Sequence, residues 1–343
     1  MNNILNLIQN KCFIIAEAGV NHNGDINIAK NLIDKACEAG VDAIKFQTFK
    51  PENLVTREAS KAEYQKNTTG DGNQFEMLKK LELSLKDHIT IKEYCKKKDI
   101  TFISTPFDFE SVDLLEKVGV PLYKVSSGDL TNLPLLKYIA NKNKPIILST
   151  GMASLGEVEE AIETIFKTGN QSLILLHCTS NYPTAYENVN LCAMLTMKEA
   201  FKLPIGYSDH TIGIEVPIAA VTLGAKVIEK HFTLDKTMPG PDHKASLEPY
   251  ELKQMVNSIR NIEKAMGNGI KRCNKNEENN KFVSRKSVVA KYDIKKGEII
   301  TKDLLDYKRP ENGLLPKFAD YIIGNKAKVE IKKDEIINFN KIK

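Results

Sequence analysis

His210 and His231 each close a short apolar run that reads as a β-strand, and Glu229 stands two residues before His231. Side chains two apart on a strand share a face. Two imidazoles on adjacent strand ends, with Glu229 beside them, could therefore point at one divalent cation. Two His with oxygen ligands suit Mn2+, Mg2+, Co2+ or Zn2+, so ligand type leaves the metal open. A lone histidine is more often a packed core residue than a ligand; the pairing is what favours a site here. His177 and His243 lack such a partner and read as core residues, His22 falls in the loop after the first strand, and His88 reads as lying on a helix surface.

Lys45 and Lys124 stand at the mouths of two further apolar runs. A strand interior excludes an ammonium group unless it is paired or functional, and an anionic ligand would satisfy both. Thr105, Ser127 and Ser149 could add hydroxyl donors around the same phosphate or carboxylate, although small hydroxyl residues also form turns. Either lysine could instead form a Schiff base with a carbonyl substrate. Glu17, at the end of the first run, and Asp129, beyond the fourth, are candidate acid/base groups, because carbonyl addition needs a proton delivered to the new alkoxide. Their alternative role is to pair with the lysines.

These residues need a scaffold that gathers strand ends. Runs rich in Ile, Val, Leu and Phe fall at 13–17, 43–47, 101–105, 122–125, 145–149, 173–177, 204–207 and 225–230, with amphipathic stretches between them. That alternation predicts repeated βα units on a parallel sheet. A helix over 154–166 is expected because Ser154 can cap it and Glu157 can complete a capping box, with Gly169 beyond its end. Another is expected over 28–38, ending at Gly40. Eight such units over roughly 250 residues match a closed (β/α)8 TIM barrel, whose active site lies at the carboxyl ends of the strands. Glu17, Lys45, Gln47, Thr105, Lys124, Ser127, Ser149, His177, Ser208, His210, Glu229 and His231 all stand at those ends, a polar rim for which a non-catalytic barrel has no need. An open doubly wound sheet would normally carry a glycine-rich phosphate turn after its first strand, and the spacing from Gly19 to Gly24 does not fit one.

The pattern changes beyond Gly267. Residues 1–270 read as the barrel, 271–284 as a polar linker, and 285–343 as a small β-rich module with short strands near 287–290 and 336–339 and a turn near 295–297. So small a module is expected to have little core of its own and to gain stability by docking onto a barrel, including that of a second subunit. The 49 Lys and Arg against 44 Asp and Glu are mostly interspersed, and the Lys-rich groups at 96–98 and 271–275 read as solvated surface, so no nucleic-acid footprint is expected. No apolar run is long enough to span a bilayer, the first residues lack the basic, apolar and small-residue pattern of an export leader, so export is not expected, and six scattered cysteines show neither zinc nor disulfide spacing. A cytoplasmic enzyme without membrane or nucleic-acid partners is the expectation.

Whole segments also stand out: IIAEAGVNHNG at 14–24, KFQTFK at 45–50, FISTPFD at 102–108, SSGD at 126–129, LSTGM at 148–152, HCTSNYPT at 177–184, GYSDHT at 206–211, EKHFTLD at 229–235 and GPDHKAS at 240–246. Together they resemble the sialic acid synthase family over almost the whole chain. RKSVVA at 285–290, IKKGE at 294–298 and KRPENG at 308–313 resemble that family's antifreeze-protein-like (SAF) domain.

The resemblance implies a synthase that condenses phosphoenolpyruvate with an N-acetylmannosamine-type sugar to give N-acetylneuraminate and phosphate. The alternative acceptor is 2,4-diacetamido-2,4,6-trideoxymannose, giving N,N'-diacetyllegionaminate. C3 of phosphoenolpyruvate would attack the open-chain aldehyde, water would add at C2, and phosphate would leave by C–O cleavage. The resemblance implies a divalent cation, Mn2+ first and Mg2+ or Co2+ next, on His210 and His231. Phosphoenolpyruvate would meet Lys45, Thr105, Lys124, Ser127, Ser149, Ser180, Tyr182 and Ser208, and the sugar would meet Glu17, Gln47, Tyr182 and Asp242. Arg309 would reach the partner subunit's site in a domain-swapped homodimer. Asp129 stands where many members carry the longer Glu, and Ser180 where some carry Asn. A Schiff-base aldolase and a sugar-binding or antifreeze-like module are the competing readings, and the second has no use for the charged rim.

Overall fold

The computed structural model describes Ile8 and residues 11–343. The apolar runs form eight strands, β1 (Phe13–Gly19), β2 (Ala43–Thr48), β3 (Thr101–Pro106), β4 (Tyr123–Val125), β5 (Ile146–Ser149), β6 (Leu173–Cys178), β7 (Ile205–Asp209) and β8 (Val227–His231). They pair in parallel in the order β3-β2-β1-β8-β7-β6-β5-β4. Because β1 pairs with both β2 and β8, the first and last strands close on each other, and β3 and β4 lie side by side at the remaining seam. This is the expected (β/α)8 barrel, nearly closed.

Period-two alternation explains what fills it. Phe13, Ile15, Ala43, Ile103, Ile147, Ile174 and Val227 make an apolar plug. Two residues further along the same strand faces come Glu17, Lys45, Thr105, Ser149 and Glu229, so the plug ends and a polar layer begins at the carboxyl ends. The intervening Ile14, Ala16, Ile44 and Phe46 belong instead to the main core, shared with the helices.

The outer ring contains α1 (Ile26–Ala39), then, after three short helices α2 (Pro51–Leu54), α3 (Glu63–Thr69) and α4 (Gln74–Lys79), the longer α5 (Leu85–Lys97). It continues with α6 (Phe109–Val118), α7 (Leu133–Ala140), α8 (Leu155–Phe166), α9 (Ala193–Phe201), α10 (Glu215–Thr222) and α11 (Pro249–Met266). Helix α8 opens on the expected capping box, with Ser154 N donating to Glu157 Oε2 at 2.7 Å. Helix α1 ends as expected at Gly40, whose φ of 82° is open to glycine at little cost. Among the described residues no helix is long and apolar enough to cross a membrane.

Two expectations are corrected. His88 lies on α5 but is fully buried, not on its solvent face. Its Nδ1 is 2.9 Å from the Ser84 carbonyl, which can only accept, so Nε2 is left to accept from Thr48 Oγ1 at 2.7 Å. A histidine with both nitrogens satisfied can be buried where its polarity alone suggests exposure. The small module also has a core of its own, including Val288, Ile294, Ile300, Leu305, Ile322, Ile331 and Ile337.

That second unit spans Asn268–Lys343. Residues 271–284 are exposed throughout and include a short helix, α12 (Glu278–Ser284). Strand β9 (Ser287–Ala290) pairs antiparallel with β10 (Leu305–Lys308). The run expected as a strand at 336–339 contributes only a bridge from Ile336 to Val289 before a 3-10 turn at Phe339–Lys341.

Candidate active site

A cavity of about 830 Å3 opens at the carboxyl ends of the strands, within the size range of small-molecule sites. Its floor is a buried cluster of charges. Lys45 Nζ lies 2.8 Å from Glu17 Oε2 and 3.9 Å from Glu229 Oε2, and donates to Thr105 Oγ1 at 3.1 Å. Lys124 Nζ donates to Ser149 Oγ at 2.7 Å and lies 3.6 Å from Glu229 Oε1, which also accepts from Ser208 Oγ at 3.0 Å. Gln47 Nε2 donates to Glu17 Oε1 at 3.3 Å. Glu229 thus stands between the two lysines. Glu17 takes up the pairing with Lys45 that the sequence left as its alternative.

Burial, with Glu229 adding to it, pushes the Glu17 carboxyl up to about 7 against the opposing pull of Lys45. Burial would lower Lys45 as well, but Glu17 and Glu229 outweigh it and raise its pKa, so this ammonium stays charged. Burial lowers Lys124 despite Glu229. Glu229 is held below the usual carboxylate range because Lys124 and Lys45 overcome the cost of burying it. Glu17 Oε2 and Glu229 Oε2 are nevertheless without a hydrogen-bond partner among the described residues, since proximity to an ammonium does not supply an aligned donor.

The imidazoles of His210 and His231 face each other with centroids 5.3 Å apart, and the Tyr182 ring lies 4.1 Å from that of His210 and 5.6 Å from that of His231. His210 Nδ1 is 2.7 Å from the Thr179 carbonyl, so in the neutral ring it carries the proton and Nε2 the lone pair; burial would lower its pKa, but Cys178 and the Thr179 carbonyl raise it. His231 Nδ1 is buried, unpartnered among the described residues, and 4.0 Å from Asp242 Oδ2. Burial and neighbouring cations hold His231 well below its ordinary pKa, hence neutral, while burial lifts Asp242 to about 6. Among the described residues no group of three or more His, Cys, Asp or Glu is arranged around a metal position.

Ser127 and Ser180 flank Gly151. A Cβ there would stand 2.3 Å from Ser180 Oγ and 2.9 Å from Ser127 Oγ, so only glycine lets both hydroxyls approach, and Gly151 N donates to Ser127 Oγ at 2.9 Å. Of the expected site residues, Glu17, Lys45, Gln47, Thr105, Lys124, Ser127, Ser149, Ser180, Tyr182, Ser208, His210, His231 and Asp242 all line the one cavity. Asp129 does not. It closes the 3-10 turn Ser127–Asp129, and its carboxylate accepts from Ser126 Oγ at 3.1 Å and Asn132 Nδ2 at 3.3 Å. Arg309 is exposed in the second unit. His177 and His243 are buried structural residues, bonded to the Val189 carbonyl and to Thr233 Oγ1 respectively.

Reading the sequence missed one wall of the cavity. Val20, Phe49, Met77, Leu78 and Leu81 pack together with the half-buried Leu54 and Phe107, and these apolar side chains line the same space as Glu17 and Lys45. They come from the β1 loop, the end of β2, the α2–α4 excursion and the segment after β3. Cys178, at the end of β6, was also missed; its Sγ is 3.8 Å from His210 Nδ1.

The chain is 56% identical over 330 residues to the N,N'-diacetyllegionaminic acid synthase of Campylobacter jejuni, covering 95% of this chain and 99% of that one. It is 39% identical to the human N-acetylneuraminate-9-phosphate synthase, covering 96% and 92%. The crystal structure of the N-acetylneuraminic acid synthetase from Leptospira borgpetersenii, in complex with citrate, matches with a TM-score of 0.70 at 39% identity, over 79% of this chain and 90% of that one. The NeuB family matches residues 32–271 and the SAF domain residues 285–343. On this sequence and this barrel, the chain belongs to the NeuB family and carries a SAF domain at its carboxyl end.

Proposed function

We propose that the chain condenses phosphoenolpyruvate with 2,4-diacetamido-2,4,6-trideoxymannose, forming N,N'-diacetyllegionaminate and inorganic phosphate. The observation that carries this reading is a single cavity with the ammonium groups of Lys45 and Lys124 in its floor and an apolar wall. The floor suits a small phosphorylated carboxylate. The wall suits an acceptor that presents a C6 methyl and a C4 acetamido group where N-acetylmannosamine presents hydroxyls, because a hydroxyl against apolar side chains loses its hydrogen bonds to water. The stronger identity to the diacetyllegionaminic acid synthase than to the human enzyme supports the same choice. The acceptor first expected from the family resemblance, N-acetylmannosamine, is therefore the second reading.

The donor set fits a divalent cation. In its neutral form His210 directs an Nε2 lone pair that its hydrogen bond to the Thr179 carbonyl orients, and neutral His231 has a buried nitrogen without a partner among the described residues. Two protein nitrogens leave the remaining positions to oxygen from water or substrate, which suits Mn2+, with Mg2+ or Co2+ as alternatives. When bound, the cation would polarise the acceptor aldehyde.

Lys45 and Lys124 hold the anionic substrate, with hydroxyls of Thr105, Ser127 and Ser149 beside them. The C2=C3 π electrons of phosphoenolpyruvate form the C3–C1 bond, leaving C2 electron-deficient, as the aldehyde π electrons pass to its oxygen, and Glu17, which keeps its proton to about pH 7, delivers that proton to the alkoxide. Water then adds at C2, giving one proton back to the Glu17 carboxylate, and the C2–O bond to phosphate breaks with its electrons leaving on phosphate as the new C2 hydroxyl becomes the ketone and its proton passes to the phosphate. Incubation with phosphoenolpyruvate, Mn2+ and each sugar, reading phosphate release and product mass, tests the assignment. Turnover of N-acetylmannosamine alone would replace it with the second reading. The protein is further proposed to work in the cytoplasm as a homodimer in which Arg309 serves the partner's site.

A further inference from the structure

The chemistry above uses the inward-facing residues of β7 and β8. Their outward-facing neighbours form a second charged group that it does not touch. Asp209 and Lys230 are register partners across the two strands, and both side chains are fully buried. Lys230 Nζ donates to Asp209 Oδ2 and to the Thr211 carbonyl. Asp209 Oδ1 accepts from Tyr207 Oη at 3.0 Å and from Thr211 N at 3.1 Å, and the carboxylate takes Thr211 Oγ1 at 2.9 and 3.0 Å. The backbone N–H, hydroxyl and carbonyl of Thr211 are thus all bound by one ion pair.

Burying two charges carries a desolvation penalty that their mutual attraction must first offset, and well-packed apolar residues often serve stability as well or better. Stability is therefore a weak reason for this pair. Its place in the chain offers a better one: Asp209 precedes His210, Thr211 follows it, and Lys230 precedes His231. Fixing the backbone on both sides of one imidazole and next to the other sets how the rings face each other.

We propose that the Asp209–Lys230 pair, acting through Thr211, is a positioning clamp that holds His210 and His231 at the separation a cation needs. This rests on the proposed metal role of the two histidines. Asp209 and Lys230 are positioning residues and touch no substrate.

The test compares wild type with the double variant Asp209→Asn/Lys230→Met, which removes both charges and leaves neither orphaned, and with Thr211→Val. Mn2+ affinity of the metal-free protein is measured by calorimetry, alongside melting temperature and a crystal structure. Loss of partners behind metal ligands typically weakens binding about 10- to 100-fold. That loss is expected for the double variant at a near-wild-type melting temperature, with the two rings displaced from their 5.3 Å centroid separation; Thr211→Val should lose a few-fold. Mn2+ affinity within about twofold of wild type, with unmoved rings, overturns the clamp and leaves the pair a stability element. If wild type itself binds no Mn2+, the metal reading fails separately. The ring positions in the double variant then decide the clamp, displaced rings supporting it and unmoved rings overturning it. Should the double variant not fold, Thr211→Val decides by the same two measurements.

Discussion

Lys45 Nζ and Glu17 Oε2 lie 2.8 Å apart in a site where neither side chain is more than 4% exposed. The pair keeps Lys45 protonated, and an ammonium group cannot attack a carbonyl, so a Schiff base at Lys45 is disfavoured. Lys124, which burial moves toward neutrality, is the lysine to watch.

Replacing Lys45 or Lys124 by Met should raise KM for phosphoenolpyruvate by about tenfold or more, since each charged hydrogen bond is worth about 1.5–3 kcal/mol. Borohydride in the presence of substrate should leave the wild type active. A covalent adduct mapped to Lys124 by mass spectrometry would replace the proposed mechanism with the aldolase one.

Glu17 sets a pH dependence. Its carboxyl rises from an ordinary 4.5 to about 7 in the folded chain, so as an acid it is available below about pH 7 and lost above it. Activity should therefore fall as pH rises through that value, and Glu17→Gln should flatten the limb while lowering the rate. The same shift acts on stability. The folded chain holds a proton that the unfolded chain has released, so the contribution is present below about pH 4.5 and lost as pH rises through about 7. Between pH 5 and 8, wild type should lose stability relative to Glu17→Gln; a pH-independent difference in denaturant midpoints would refute the assignment.

Chelation should abolish activity and Mn2+ should restore it. His231→Ala should bind Mn2+ at least tenfold more weakly while keeping its barrel, because a residue at a strand's carboxyl end contributes little to the packed core. Unfolding of that variant, seen by circular dichroism, would point to a structural histidine instead.

The apolar wall should read the acceptor. Apolar pockets distinguish a methyl from a hydroxyl-bearing group by about 100-fold, so kcat/KM for the trideoxy sugar should exceed that for N-acetylmannosamine by about that factor. Phe107→Tyr or Leu54→Gln, at half-buried positions, should narrow the ratio. An unchanged ratio in both variants, with normal turnover, would remove the wall from specificity.

Arg309 is exposed in the second unit, and the segment 271–284 before it is exposed and polar. Subunits carrying Arg309→Ala and Glu17→Ala, each inactive alone, should recover part of the activity as verified heterodimers, because one site would then be free of both lesions. Heterodimers without recovery would show that Arg309 serves its own subunit.

Much of the barrel was legible because strands and caps declare themselves locally. Alternation with period two put Glu17, Lys45 and Glu229 on the faces that continue from Ile15, Ala43 and Val227, and a polar side chain at the end of such a face can only emerge at the barrel mouth. Ser154 with Glu157, and Gly40, marked helix ends through hydrogen bonds spanning three or four residues.

What the tertiary structure decided is which partner each polar group takes. Glu229 looks like a histidine's neighbour in sequence, yet Ser208 and Lys124 approach it from adjoining strands. His88 is buried because Thr48 and Ser84 satisfy its ring, and Asp129 turns away because a 3-10 turn offers it Ser126 and Asn132. The apolar wall was invisible because its side chains, scattered over four segments, have the composition of ordinary core. Periodicity tells which way a side chain leaves its own strand; the electrostatics and hydrogen bonding it meets there depend on residues far away in sequence, and only closure of the barrel brings those together.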